Sequence, residues 1–140
     1  MIVALGSMAK NLQVRIKNYT GVPVLDITGE INADALRQIA EQVQRLVDAG
    51  HYHIVFNLKR AMFAGLTGLR KMNDIAGSVR RHYGSLYIVA DRRQEDEFRR
   101  LRLGEGARLC RSEEHAVAKI LGGYYRPIFG RRGVPARFTS

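Results

Sequence analysis

Thr67 carries a hydroxyl, and Arg70 and Lys71 follow it at i+3 and i+4. On a helix those three share one side. A phosphate on Thr67 could therefore pair with both cations and with the free amides of a helix start. The plainer reading is that a threonine beside a helix start caps it. Gly65 and Gly68 flank the stretch Gly65-Leu66-Thr67-Gly68, which lacks the Lys-Ser/Thr ending of a phosphate-binding loop. Backbone freedom is the role expected of these glycines.

Other reactive side chains are scattered. His51 and His53 stand at i, i+2, but no cysteine or acidic cluster joins them at ligand spacing, and His82 and His115 fall on other elements. They read as surface or edge histidines. Cys110 is the one cysteine, so no internal disulfide forms and a reducing compartment is expected. It reads as a buried, inert thiol. No Gly-x-Ser-x-Gly turn and no convincing acid/base pair is present; Glu30 and Asp34 read as interface and cap residues. The pattern points away from an enzyme and implies no metal and no cofactor.

Periodicity supplies the elements that must position these groups. Leu12–Lys17 alternates apolar and polar, as a half-buried strand does. Asn18–Gly21 has the chemistry of a hairpin turn, and Val22–Ile27 is the second strand. Asn32 or Asp34 caps an amphipathic helix over 33–49, with Leu36, Ile39, Val43 and Val47 inward and Gly50 at its end. His53–Leu58 reads as a strand buried on both faces, 61–68 as a loop, and Leu69, Met72, Ala76 and Val79 as the inner stripe of a helix ending near Tyr83. A strand (86–90), a short helix (93–103, Phe98 and Leu101 inward), a strand (107–110) and a helix capped by Ser112 complete the order. The fold class expected is α/β: a mixed sheet with a leading hairpin, then alternating helices and strands, helices packed on the sheet.

Three divisions follow. Gly6-Ser7-Met8 reads as a cloning remnant before a native start at Met8, so residues 1–7 are set aside. Residues 8–121 form one domain, and 122–140, broken by glycine and proline, form a basic tail. The 140-residue chain is long enough for one core. No apolar run is long enough to span a membrane, and the first residues do not make a secretory signal. A cytoplasmic location is expected.

Net charge is +10, and the tail supplies +4 of it through Arg126, Arg131, Arg132 and Arg137. Attraction to an anionic partner follows. Arg92, Arg93, Arg99, Arg100 and Arg102 are interleaved with Glu95, Asp96 and Glu97, which reads as a salt-bridged helix face. No aromatic residue interleaves with that run, as single-strand binding platforms require. Nucleic acid therefore ranks below protein as a partner, and a membrane would be met only through a partner or weakly through the tail.

Three segments together resemble the STAS family, in its anti-sigma-factor-antagonist type. Val24-Leu25-Asp26-Ile27-Thr28-Gly29-Glu30-Ile31-Asn32 looks like the opening strand and its Gly-Glu-Leu-Asp segment. Val55–Leu58, Phe63 and Gly68-Leu69 resemble the central strand and the Asp-Ser-Ser-Gly-Leu loop. Gly84–Val89, Phe98, Leu101 and Ser112–Ala118 match the last third. The resemblance implies a bacterial signalling module that binds a kinase-like anti-sigma factor until a serine is phosphorylated. Here Leu66 holds the place of that serine, Gly65 and Thr67 flank it, and Asn32 replaces the aspartate of the opening motif. The usual switch is therefore absent at that position. The implied partner-binding residues are Glu30, Asn32, Asp34, Met62, Gly65, Leu66, Thr67, Arg70 and Lys71. Phe63 belongs either to that face or to the core. The alternatives are an accessory subunit of a membrane transporter, a signalling scaffold, and a basic nucleic-acid-binding protein.

Overall fold

A computed structural model describes residues 2–7, 12–63, 66–100 and 107–124, without the side chains of residues 2–7, 66, 67, 69, 123 and 124. The element order is β1 (Ile2–Ser7), β2 (Gln13–Tyr19), β3 (Val22–Ile31), α1 (Ala33–Asp48), β4 (His53–Phe63), α2 (Leu66–Arg81), β5 (Ser85–Val89), α3 (Arg92–Arg100), β6 (Ala107–Cys110) and α4 (Glu113–Tyr124). One six-stranded sheet runs in the order β1-β2-β3-β4-β5-β6. β1, β2 and β3 are antiparallel neighbours, and β3 through β6 are parallel. The mixed sheet, the leading hairpin and the alternation that follows are as expected.

The β2–β3 hairpin closes on a two-residue turn, with Thr20 at φ 55° and Gly21 at φ 89°. Positive φ at both positions matches the twist of the flanking strands. The Asn18 side chain accepts from the Gly21 amide at 2.7 Å. Asn32, not Asp34, caps α1, its Oδ1 accepting from the Ala35 amide at 2.8 Å.

Strand order advancing one way, with the usual crossover hand, puts the helices of successive crossovers on one face. Accordingly Leu36, Ile39, Val43 and Val47 of α1, Met72, Ile75, Ala76 and Val79 of α2, and Phe98 of α3 share a core with Leu25, Ile27, Phe56, Leu58 and Ile88. The second face is smaller. There Ala116, Val117 and Ile120 of α4 pack on Val22, Val24, Val55, Tyr87, Val89 and Cys110. Phe98 is the buried side chain of α3, worth about 1.5–3 kcal/mol for a large apolar group.

Four boundaries differ from the sequence expectation. Residues 2–7, set aside as a remnant, form β1 and pair with β2 (Val3 opposite Ile16). β4 runs on to Phe63, so 61–63 are strand rather than loop, and α2 begins already at Leu66. A bulge hides the extension: Asp26 pairs with Asn57, but Thr28 pairs with Arg60. Leu58 and Ala61 therefore face the same core three residues apart, which breaks the period of two. Finally, α4 continues through Gly122 and Gly123 to Tyr124. Two glycines weaken a helix interior but are tolerated in its last turn. The remainder of the expected tail, and Leu101, lie outside the described residues.

Candidate functional site

The ends of β3 and β4 and the starts of α1 and α2 meet at one end of the sheet. Glu30 lies opposite Met62, and Ile31 opposite Phe63, across the parallel β3–β4 pair. Met62 is 69% exposed, an uncommon state for a large apolar side chain beside a helix start. Glu30, Asp34, Arg70 and Lys71 are also exposed. Asp34 forms an ion pair with Arg37 at 3.3 Å in the first turn of α1. Asn32 is half-buried, and its side-chain oxygen is committed to the cap.

Phe63 points the other way. It packs edge-on against Phe98, with ring centroids 5.9 Å apart and planes at 82°, so it belongs to the core side. Leu66 is the first residue of α2, and Thr67 the second. Their side chains and all of Gly65 lie outside the described residues. Gly68 has a reason different from backbone freedom. A Cβ there would stand 3.2 Å from Phe63 Cδ1, 3.4 Å from the Ile31 carbonyl oxygen and 3.6 Å from Leu36 Cδ1. Absence of a side chain lets the first turn of α2 lie flat on the ends of β3, β4 and α1.

The opposite face of the sheet holds a polar cluster that pattern reading missed. Asp26 and Glu113 are the buried charged side chains of the described residues. Glu113 accepts from Lys17 Nζ (2.8 and 3.0 Å), the Tyr19 hydroxyl (2.7 Å) and Asn57 Nδ2 (2.7 Å). Asp26 accepts from the Arg60 guanidinium at 2.9 Å and lies 3.6 Å from Lys17 Nζ. Burial pushes the Glu113 carboxyl up, but the hydrogen bonds from Asn57, Lys17 and Tyr19 more than reverse this and hold it below its ordinary value. Burial likewise lowers Lys17, yet the Glu113 carboxylate holds the ammonium above its usual range. The hydrogen bond to Glu113, then burial, raises the Tyr19 phenol.

A carboxylate so held stays ionised, and each of its oxygens is already occupied. That is the signature of a structural tie rather than of a general acid. Cys110 is also a poor reactive group, because burial raises its thiol and the thiolate is the nucleophile. The signal for the cluster was present: Asp26 interrupts the run Val24-Leu25-Asp26-Ile27, and a charge in a buried strand demands partners. Glu113 was legible only as a helix-start carboxylate.

Among the described residues no group of His, Cys, Asp and Glu could hold a metal ion, and no helix is long and apolar enough to cross a membrane.

With that geometry in hand, the family model of the STAS domain matches residues 13–116. The chain belongs to the STAS domain family. The match spans β2 to the first turn of α4. Solved structures with the same fold include the anti-sigma factor antagonist SpoIIAA in its unphosphorylated form, at 18% identity and TM-score 0.61, covering 78% of this chain and 98% of that one. An anti-sigma factor antagonist from Mycobacterium paratuberculosis has 17% identity and TM-score 0.64, covering 86% and 95%. The phosphorylated form of the Bacillus cell fate determinant SpoIIAA has 18% identity and TM-score 0.58, covering 76% and 98%. At these identities the likeness establishes the fold. A search of the curated proteins finds no match.

Proposed function

We propose that this STAS domain is a regulatory protein-binding module of the anti-sigma-factor-antagonist kind, constitutively competent because it lacks the phosphorylatable serine. The observation that carries the reading is the residue at the head of α2. Leu66 begins that helix and stands where the family's Asp-Ser-Ser-Gly-Leu loop places its serine. A leucine offers no oxygen for phosphoryl transfer, so the charge that would break a packed interface cannot be added there.

The binding face combines Glu30 and Asp34 with Met62, Gly65, Leu66, Thr67, Arg70 and Lys71. An exposed methionine, with Leu66 at the head of the adjoining helix and both signs of charge around them, suits a partner with an apolar centre and a polar rim. Asn32 acts through the cap that sets where α1 starts, rather than through a contact of its own. Thr67 serves as a helix-start residue, with phosphorylation as the alternative. The partner is a kinase-like anti-sigma factor in the cytoplasm; an ATPase subunit of a transporter is the rival.

Two variants test this. Leu66→Glu places a permanent carboxylate on the face and should abolish binding of a kinase-like anti-sigma factor while leaving the circular dichroism spectrum unchanged. Gly65→Asp/Leu66→Ser restores the acceptor. With ATP and that kinase-like partner, the γ-phosphoryl group should pass to the Ser hydroxyl and ADP should leave, adding one phosphate by intact mass. Undiminished binding by Leu66→Glu would place the face elsewhere.

A further inference from the structure

Among the described residues, β4 has no strand neighbour on one side beyond Asn57. β5 ends at Val89, opposite Asn57, while β4 runs on to Phe63. The bulge falls in this one-sided stretch, since Asp26 pairs with Asn57 but Thr28 with Arg60. A bulge re-aims the side chains that follow it. Unbroken alternation from Leu58 would turn Arg60 and Met62 towards the helix core. Instead Leu58 and Ala61 are buried there and Phe63 packs against it, while Met62 is exposed. The extra residue is what puts Met62 on the surface.

Gln94 reaches this stretch from α3. Its Nε2 donates to the Leu58 carbonyl at 2.7 Å and lies 3.4 Å from the Ala61 carbonyl oxygen. Those two carbonyls bracket the irregular residues 59 and 60. The other end of the same side-chain amide is fixed as well. Its Oε1 accepts from the Asp91 amide at 3.0 Å, and the Gln94 backbone amide donates to Asp91 Oδ1 at 2.8 Å.

That reciprocal pairing is a capping box at the start of α3. A capping box needs only an acceptor from its last residue. Glutamate would supply one, with a charge that a helix start favours. An ionised glutamate has no hydrogen to give a carbonyl, whereas the glutamine amide has two. The glutamine is therefore explained by the bulge and not by the helix. One turn along α3, Phe98 packs edge-on against Phe63, so α3 holds β4 on both sides of Met62 in the sequence.

We propose, on the footing of the binding face set out above, that Gln94 is its positioning residue: from α3 it locks the β4 bulge in the form that presents Met62. Without the Gln94 donor the Leu58 carbonyl loses a partly buried partner, and residues 59–62 leave their single arrangement. Affinity for a partner is then set in part by α3, an element that supplies no residue to the face.

The test is Gln94→Glu in the full chain. This variant is isosteric, keeps the acceptor for the Asp91 amide and removes the donor. Amide hydrogen exchange followed by NMR should rise about tenfold or more at residues 59–62, as for the loss of one hydrogen bond. It should stay unchanged at Ile54, Val55 and Phe56. The Met62 methyl resonance, read in protein labelled at the methionine methyls, should move. Binding of a kinase-like anti-sigma factor should weaken about fivefold or more. Val79→Ala, which hollows the core near the far end of α2, separates positioning from stability. It should lower the unfolding midpoint at least as far as Gln94→Glu does, and leave the Met62 resonance in place. Unchanged exchange at 59–62 in Gln94→Glu would overturn the proposal. So would the same Met62 shift in Val79→Ala, or undiminished binding by Gln94→Glu where Leu66→Glu binds nothing. Binding kept by Leu66→Glu would overturn the face itself, and the exchange result, read without any partner, tells the two failures apart.

Discussion

At the scale of single residues, Glu113 ties three strands to α4. Its oxygens meet groups from β2 and β4, and through Lys17 it is linked to Asp26 on β3. Glu113→Ala would leave Lys17 facing a partly buried gap, so a loss of about 2 kcal/mol or more is expected in urea unfolding at neutral pH. The pH dependence has two sides. The Glu113 carboxyl is held below its ordinary value of 4.5, so its contribution is present above that value and fades as pH falls through the lower folded-state value. Lys17 and Tyr19 are held above 10.5 and 10.0, so theirs is intact below those values and fades as pH rises through the higher folded-state values. Wild type should be most stable between these limits, and Glu113→Ala should flatten the acid side. Little of this was legible in the chain order. Lys17, Asp26, Asn57 and Glu113 are up to 96 residues apart, and only the sheet register brings them together.

At the scale of elements, two glycines show what positions the helices. Gly84→Ala forces a Cβ onto the Tyr52 carbonyl, and a loss of about 2–3 kcal/mol is expected from thermal or chemical unfolding, near the top of the range for overpacking. Gly68→Ala meets softer neighbours at 3.2 Å and beyond. The better helix propensity of alanine offsets about 1 kcal/mol of the strain there, so a smaller net loss is expected, together with weaker partner binding as the start of α2 lifts. Helices α1 and α2 were legible because their apolar spacing is regular and their inner faces meet a single core. The extension of β4 to Phe63 was not, because the bulge after Asn57 shifts the alternation by one residue. Asn57 itself supports the bulge, its side-chain oxygen accepting from the Lys59 amide at 3.1 Å. Gly68 was legible as a motif glycine, but its role is close packing, a tertiary fact.

At the scale of the molecule, the sheet is built outward from β3 and β4, and β1 pairs with β2 alone. Removing residues 1–7 should leave a cooperative fold and raise hydrogen exchange at β2 amides opposite β1, near Arg15 and Lys17. Loss of cooperative unfolding would show that β1 is integral. From β2 onward, the mixed sheet and the order of its elements were readable from periodicity, since each crossover helix alternates with a strand of its own; β1 was not. The family resemblance rested on residues that lie, Val117 and Ala118 apart, within the 13–116 match. The charge of +10 did not point to a surface, because arginines are spread over α2, α3 and the tail, and many are paired: Arg99 and Arg111 both hold Glu95.

The head of α2 is proposed to bind a partner in a permanently competent state. The most direct test of this is quantitative affinity capture from the source cells with wild-type and Leu66→Glu baits, after both are shown to be folded. A kinase-like ATPase should be retained by wild type and lost with the glutamate. The same proteins held in equal amount by both baits would contradict it.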